Sequence, residues 1–172
     1  MKRLFVPAIA LSVLMSACNG YDVATRVVNI IAAVLQVAAA ETAAVPAADQ
    51  PAYKSFVVLG QTLESQLQTC LEAADSGMKR SGKFLACFNN FTSGLTAPAE
   101  LAQLRVLAPD TQKQVQRYLT AITVGVNVAV AAYGGTQSSA PSIAPAPTKA
   151  ELDQLTLDAH LDQRMWRYVP IL

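Results

Sequence analysis

The chain has 172 residues, with 13 Lys and Arg against 12 Asp and Glu, so its length fits one domain and its charges nearly cancel. There is therefore no excess of basic residues that would argue for nucleic-acid binding. Aromatic residues make up only 6% of the chain, and no segment alternates as half-buried strands do, so the composition favours an all-α protein.

The N-terminus has the pattern of a secretory signal. Two basic residues precede an apolar run over residues 4–15, and Ser16-Ala17-Cys18 follows. The run of about 12 residues is too short to cross the ~30 Å hydrocarbon core of a bilayer as a helix. The alternatives are an uncleaved anchor and a signal that is cut before an ordinary cysteine.

The segment Leu14-Met15-Ser16-Ala17-Cys18 resembles the lipobox of bacterial membrane lipoproteins, and the resemblance covers only the first 18 residues. It implies that residues 1–17 are removed and that Cys18 receives acyl chains such as palmitate. The chains would anchor the protein in a membrane of the cell envelope, facing the periplasm. Asn19 stands where the family's inner-membrane retention signal has Asp, which favours the outer membrane.

Two long helices are predicted after the signal. Residues 22–44 place apolar side chains on one broad side of a helix, and Asn29 and Gln36 make the segment too polar for a membrane span. A break with prolines follows over residues 46–51. The second helix runs to about residue 75 and has one apolar face, formed by Phe56, Leu59, Leu63, Leu67, Cys70, Leu71 and Ala74.

A third helix over residues 81–91 would complete a hairpin with the second. Cys70 and Cys87 lie almost equally far from the turn near Met78, and both lie on the facing apolar stripes. We therefore predict a Cys70–Cys87 disulfide, worth ~3 kcal/mol in the chain-entropy model. The alternatives are two buried free thiols and, less favoured because no His lies near, a metal pair.

The remaining bundle is predicted from residues 96–135. A short connecting helix ends at Pro109, and Asp110 and Thr111 then offer N-caps for a long helix through Tyr133. This helix is apolar on nearly all sides, so it is central, membrane-bound or covered by a partner. Its polar residues Thr120, Thr123 and Asn127 argue against hydrocarbon, and we favour a central helix.

The C-terminal region begins with a Ser-, Ala- and Pro-rich linker over residues 136–148. Thr148-Lys149-Ala150-Glu151 is a capping-box pattern that predicts a final helix over residues 149–172. This helix would have two opposed apolar stripes, so we expect contacts on both sides. The candidate partner-binding residues are Leu157, Leu161, Met165, Trp166 and Tyr168.

Two segments resemble sites of known chemistry, and we discount both. Residues 77–84 nearly match a phosphate-binding Walker loop, but Phe84 replaces the hydroxyl residue that holds magnesium. The basic residues of this turn, Lys79, Arg80 and Lys83, could instead contact anionic lipid head groups. His160, the only histidine, lies between two aspartates that point away from it on a helix, so no metal site is predicted.

These observations predict a signal peptide over residues 1–17 and an antiparallel bundle of four to five helices over residues 18–135. The linker over 136–148 and the helix over 149–172 complete the chain. We expect a non-enzymatic interaction or assembly module without a cofactor, bound to an unknown envelope protein or to a second copy. The alternative is a carrier or sensor of an apolar small molecule held between helices.

Overall fold

The computed structural model describes residues 20–75 and 80–160, and within these ranges it contains helices and no strand. The α-helices are α1 Gly20–Glu41, α2 Gln50–Asp75, α3 Arg80–Leu95, α4 Pro98–Leu104, α5 Pro109–Ala132 and α6 Lys149–Asp158. A short 3-10 helix, Thr42–Ala44, follows α1. The predicted all-α bundle is confirmed.

Four long helices enclose one core. Helix α1 packs against α2 and α5, α2 packs against α3, and α3 packs against α5. The short helix α4 crosses α2, and α6 lies against α1 and α5. The largest fully buried side chains include Tyr53, Tyr118, Phe84, Phe88, Ile31, Leu35, Leu67, Leu119 and Ile122.

Helix α5 is central in the bundle. It contacts α1, α3 and α6, and buried residues such as Val115, Leu119, Ala121 and Ile122 cover more than one side of it. By length and composition alone, two segments could also cross a membrane, Val23–Ala44 and Pro109–Ala132. Both segments contribute buried side chains to the bundle, and the core helix of a soluble protein passes the same test.

Glycine allows a close approach between α1 and α2. A Cβ atom at Gly60 would lie 2.5 Å from Cδ2 of Leu35, so a larger residue here would force the Leu35 side chain to shift. The Leu35 side chain therefore packs directly against the backbone of α2. This contact fixes the separation of the two helices at this level of the core.

The second and third helices are covalently joined. Cys70 on α2 and Cys87 on α3 form a disulfide, with their Cα atoms 5.8 Å apart. Cys87 is buried and Cys70 is partly exposed. The pairing predicted from their equal distances to the hairpin turn is therefore present.

The start of α5 differs from the prediction. The N-cap position is Ala108, so Asp110 and Thr111 lie inside the first turn. Ala108 provides no side-chain cap, and Pro109 follows it at a position where a missing N–H is tolerated. The acceptor for this helix start comes from another part of the chain, Asp49, which precedes α2.

The final helix starts as predicted but ends early. Thr148 and Glu151 form the expected capping box. The helix ends at Asp158, and His160 has a φ of 52°, so the helix does not continue through residue 160 as the apolar spacing predicts. The spacing of apolar residues shows which side of a helix is buried, but it does not define the residue at which the helix ends. Residues 161–172 lie outside the described ranges.

Candidate interaction site

The segment between α5 and α6 lies along α5 and is held there by two amide side chains. Gln116 is only 3% exposed, and its Nε2 donates to Pro141 O at 3.0 Å. Its Oε1 accepts from the N–H groups of Ile143 at 2.8 Å and Ala144 at 3.3 Å. The segment has no helix or strand of its own, so its backbone groups lack the hydrogen bonds of regular secondary structure. The Gln116 amide provides hydrogen-bond partners for three of these groups.

Asn127 holds the same segment nearer the end of α5. Its Nδ2 donates to Ser138 O at 2.7 Å, and its Oδ1 accepts from Ser138 N at 3.0 Å. Ile143, in the same segment, is buried and belongs to the hydrophobic core. The predicted linker therefore has no helix or strand, but these hydrogen bonds fasten it to the bundle, so it is not a free tether.

Helix α6 buries one of its two predicted stripes in its own bundle. Leu152, Leu155 and Ala159 are buried, as is Thr156 between them. On the other stripe, Leu157 is 52% exposed. Its four partners in the predicted binding surface, Leu161, Met165, Trp166 and Tyr168, lie outside the described residues.

The start of α6 is stabilised by local hydrogen bonds. The Thr148 N–H donates to Oε2 of Glu151 at 2.6 Å, and the Glu151 N–H donates to Oγ1 of Thr148 at 3.3 Å. The Thr148 hydroxyl also donates to the Glu151 carboxylate at 2.8 Å. Hydrogen bonds from the Thr148 backbone and side chain lower the pKa of Glu151.

A polar cluster near α6 joins α1, α2 and α5. Oε2 of Glu41, at the end of α1, accepts hydrogen bonds from the Tyr118 hydroxyl and from Gln114 on α5. The Arg117 guanidinium donates to both Glu41 oxygens, at 3.3 and 3.2 Å, and to Tyr118 Oη at 3.3 Å. Below them, the Tyr53 hydroxyl donates to the carbonyl of Ala38 at 3.0 Å.

Burial, hydrogen bonding and charge shift the pKa values of three side chains in this cluster. Burial raises the pKa of Tyr53 and of Tyr118, so both phenols stay protonated. Burial alone would lower the pKa of Arg117, but the hydrogen bond to Tyr118 and the charge of Glu41 outweigh it and raise the pKa. The side chains of Arg117 and Glu41 are only 19% and 30% exposed. Their ion pair therefore joins α1 to α5 and leaves little charged surface for a partner.

The sequence did not identify this cluster. Glu41 is separated from Tyr118 by 77 positions and from Arg117 by 76. The available signal was Glu41 at the end of the uncharged stretch 27–40, together with Arg117 at the start of the uncharged stretch 118–132. The pairing of these residues could not be predicted, because helical periodicity places a residue on one face of a helix but does not identify the helix that packs against that face.

A groove lies between α2 and α3, beside the disulfide. It holds about 170 Å³ and is open to solvent. Apolar side chains and the disulfide form most of its lining, and two amides contribute the polar groups; the residues are Leu63, Gln66, Leu67, Cys70, Cys87, Asn90 and Phe91. Its lining is mostly apolar, but its volume is below the roughly 300–1,000 Å³ of typical ligand sites, so it has room only for a small molecule.

The residues of the two discounted sites lie only partly within the described ranges. His160 is exposed after the end of α6, and Phe84 is buried against the ring of Tyr133. Within residues 20–75 and 80–160, no three His, Cys, Asp or Glu side chains form a group that could hold a metal ion. Cys18 and Lys79 lie outside these ranges, and Lys83 is exposed on α3.

Comparison with known proteins gives no match to a family model, to a curated protein or to a solved structure.

Proposed function

We propose that this protein is a lipid-anchored component of the bacterial cell envelope that acts as a non-enzymatic interaction or assembly module. Cys18 would carry the acyl chains, and the helical domain would face the periplasm from the outer membrane. The observation that carries the proposal is the exposure of Leu157 on a helix whose opposite stripe is already buried.

Two features support the location in the envelope. The signal pattern ends at Cys18, where a lipoprotein would be cleaved and acylated. The Cys70–Cys87 disulfide belongs to an oxidising compartment, since cytosolic thiols are kept reduced. A single acyl chain binds a membrane only marginally, so stable attachment would use the several chains that the lipobox implies.

The C-terminal segment supports the interaction. Gln116, Asn127 and the buried stripe of α6 hold this segment in one position, so Leu157 is presented on a fixed support. A preformed apolar contact costs a partner less ordering entropy than a free tail would. The partner is another envelope protein or a second copy of this chain.

The interaction is tested by crosslinking in intact cells, followed by mass spectrometry of the captured neighbours. We expect Leu157→Glu, and deletion of residues 148–172, to abolish a crosslink that the parent protein forms. Val58→Glu is the matched control, because Val58 is 61% exposed on α2, away from this segment. A protein that stays monomeric and uncrosslinked, or a Leu157→Glu variant that crosslinks like the parent, would contradict the proposal.

The anchor has its own test. Metabolic labelling with a radioactive fatty acid should mark the parent protein and not a Cys18→Ala variant. Fractionation should place the parent in the outer membrane. An unlabelled intact precursor in the cytosol would refute the lipid attachment.

The groove between α2 and α3 favours a second candidate function, the binding of an apolar small molecule. Native mass spectrometry of protein purified without detergent should then show an added mass. Gln66→Trp should remove it, because Gln66 is exposed at the rim and an indole there would cover the groove. Parent protein with no added mass would exclude a tightly held ligand.

A further inference from the structure

The position of the anchor relative to α1 determines which end of the bundle meets the membrane. Helix α1 begins at Gly20, and only Asn19 separates it from Cys18. Two Cα–Cα steps span at most about 7 Å. A lipid attached to Cys18 therefore holds the first turn of α1 against the head groups, with no linker that would let the bundle turn over.

The start of α3 and the end of α5 lie at this same end. The Tyr133 side chain, just after α5, lies close to the backbone of Ala24 on α1. Its ring also contacts those of Phe84 at 5.2 Å and Phe88 at 6.4 Å, both on α3. The end of α2 at Asp75 and the start of α3 at Arg80 therefore lie at the anchored end.

The first turn of α3 carries two of the basic residues at this end, and Arg26, exposed on α1, is a third. Arg80 and Lys83 are the only charged residues of the helix, and Lys83 is exposed. The acidic residues at this end lie on other helices, namely Asp22 on α1 and Glu72 and Asp75 on α2. The carboxylate of Glu72 accepts a hydrogen bond from Gln68 at 3.1 Å.

We infer that the bundle stands upright on an anionic lipid surface, with the first turn of α3 against the head groups and the opposite end directed away. This inference rests on the proposed acylation of Cys18. Helix α1 has 22 residues, so its far end at Glu41 is about 30 Å from its start. Helix α6 lies on that far half, since the charge of Asp158 acts on Arg117, the partner of Glu41. Leu157 would then meet a partner well above the membrane surface.

The orientation can be measured by lysine acetylation of the full acylated protein in lipid vesicles. The probe vesicles are phosphatidylcholine with and without phosphatidylglycerol, and the reference is the same protein in detergent. Lys83 reports the anchored end, while Lys113 and Lys149 are exposed on the far half. Mass spectrometry gives the acetylation rate of each lysine.

We expect the acetylation of Lys83 to slow by about five-fold or more in the anionic vesicles, and that of Lys113 and Lys149 to stay unchanged. High salt should reduce the part of this protection that depends on phosphatidylglycerol, because it screens the charges. Arg80→Gln should also reduce it. Arg105→Gln, at an exposed position after α4, is the control that should leave it intact.

Flotation of the vesicles distinguishes a failure of the lipid anchor from a failure of the proposed orientation. Protein that does not float with them refutes the lipid anchor and this inference together. Protein that floats while Lys83 reacts as fast as in detergent, or while Lys113 is protected in its place, refutes the orientation alone. Protection of Lys83 that is equal in neutral and anionic vesicles refutes the role of Arg80 and Lys83 in head-group contact.

Discussion

Removing the carboxylate of Asp49 should destabilise the junction between α2 and α5. Asp49 is 8% exposed, and its Oδ2 accepts from the N–H of Ala108 at 3.1 Å and from the hydroxyl of Thr111 at 2.6 Å. These donors belong to the start of α5, which Ala108 itself cannot cap. Asp49 therefore caps α5 from 59 residues away in the sequence.

The size of the effect follows from the groups left behind. In Asp49→Ala the start of α5 loses its cap, which costs about 1–2 kcal/mol. The hydroxyl of Thr111, which is 2% exposed, loses its acceptor at a further cost of roughly 1–3 kcal/mol. We expect a total loss of about 3 kcal/mol. Asp49→Asn keeps an acceptor and loses the charge that favours a helix N-terminus, so it should cost only about 1 kcal/mol.

Urea unfolding followed by circular dichroism measures these losses, with an unchanged m-value as the condition for comparing them. Asp110→Ala is the control, because Asp110 lies in the same first turn with a side chain that is 99% exposed. It should cost no more than about 0.5 kcal/mol. If Asp49→Ala were no worse than Asp110→Ala, the cap would not stabilise the fold and the reasoning would be refuted.

Three further changes test other parts of the structure. The double variant Cys70→Ser/Cys87→Ser should lower the free energy of unfolding by about 3 kcal/mol, and an unchanged urea midpoint would argue against the bridge. Burial raises the pKa of Tyr133 to about 12, while an unfolded tyrosine ionises near pH ~10. Stability contributed by the neutral phenol is therefore complete below pH ~10 and is lost as the pH rises toward 12. Tyr133→Phe should flatten this alkaline decline in the thermal midpoint, and an identical pH profile would contradict it. Gln116→Ala should speed hydrogen exchange of residues 138–147 and leave α2 and α3 unchanged; equal protection of that segment in parent and variant would show that the amide does not hold it.

Several elements were predictable because they depend on residues close in sequence. The positions of the long helices follow from apolar spacing, although their exact ends do not, and the start of α6 follows from Thr148 and Glu151, three positions apart. The disulfide was predictable for a related reason. In a helical hairpin, residues that are equally far from the turn lie opposite each other. Cys70 and Cys87 are separated by only 17 positions.

The candidate interaction site was only partly predictable. Leu157 was identified from its stripe, and it is exposed. The attachment of the preceding segment was not identified, because a Pro-rich sequence looks like a free linker until its hydrogen-bond partners are known. Gln116 lies 27 positions from Ile143. In the sequence it is one of several polar residues of a helix, and nothing there indicates that its amide is buried.

The sequence by itself determined the long helices, the hairpin with its disulfide and the capping box, because each is encoded within one helix or one turn. The tertiary structure decided which buried polar groups meet. The cap of α5 by Asp49 and the pairing of Glu41 with Arg117 join residues 59 and 76 positions apart. Such pairs arise because every buried polar group must find a partner, and only the packing of the helices determines which partner is within reach.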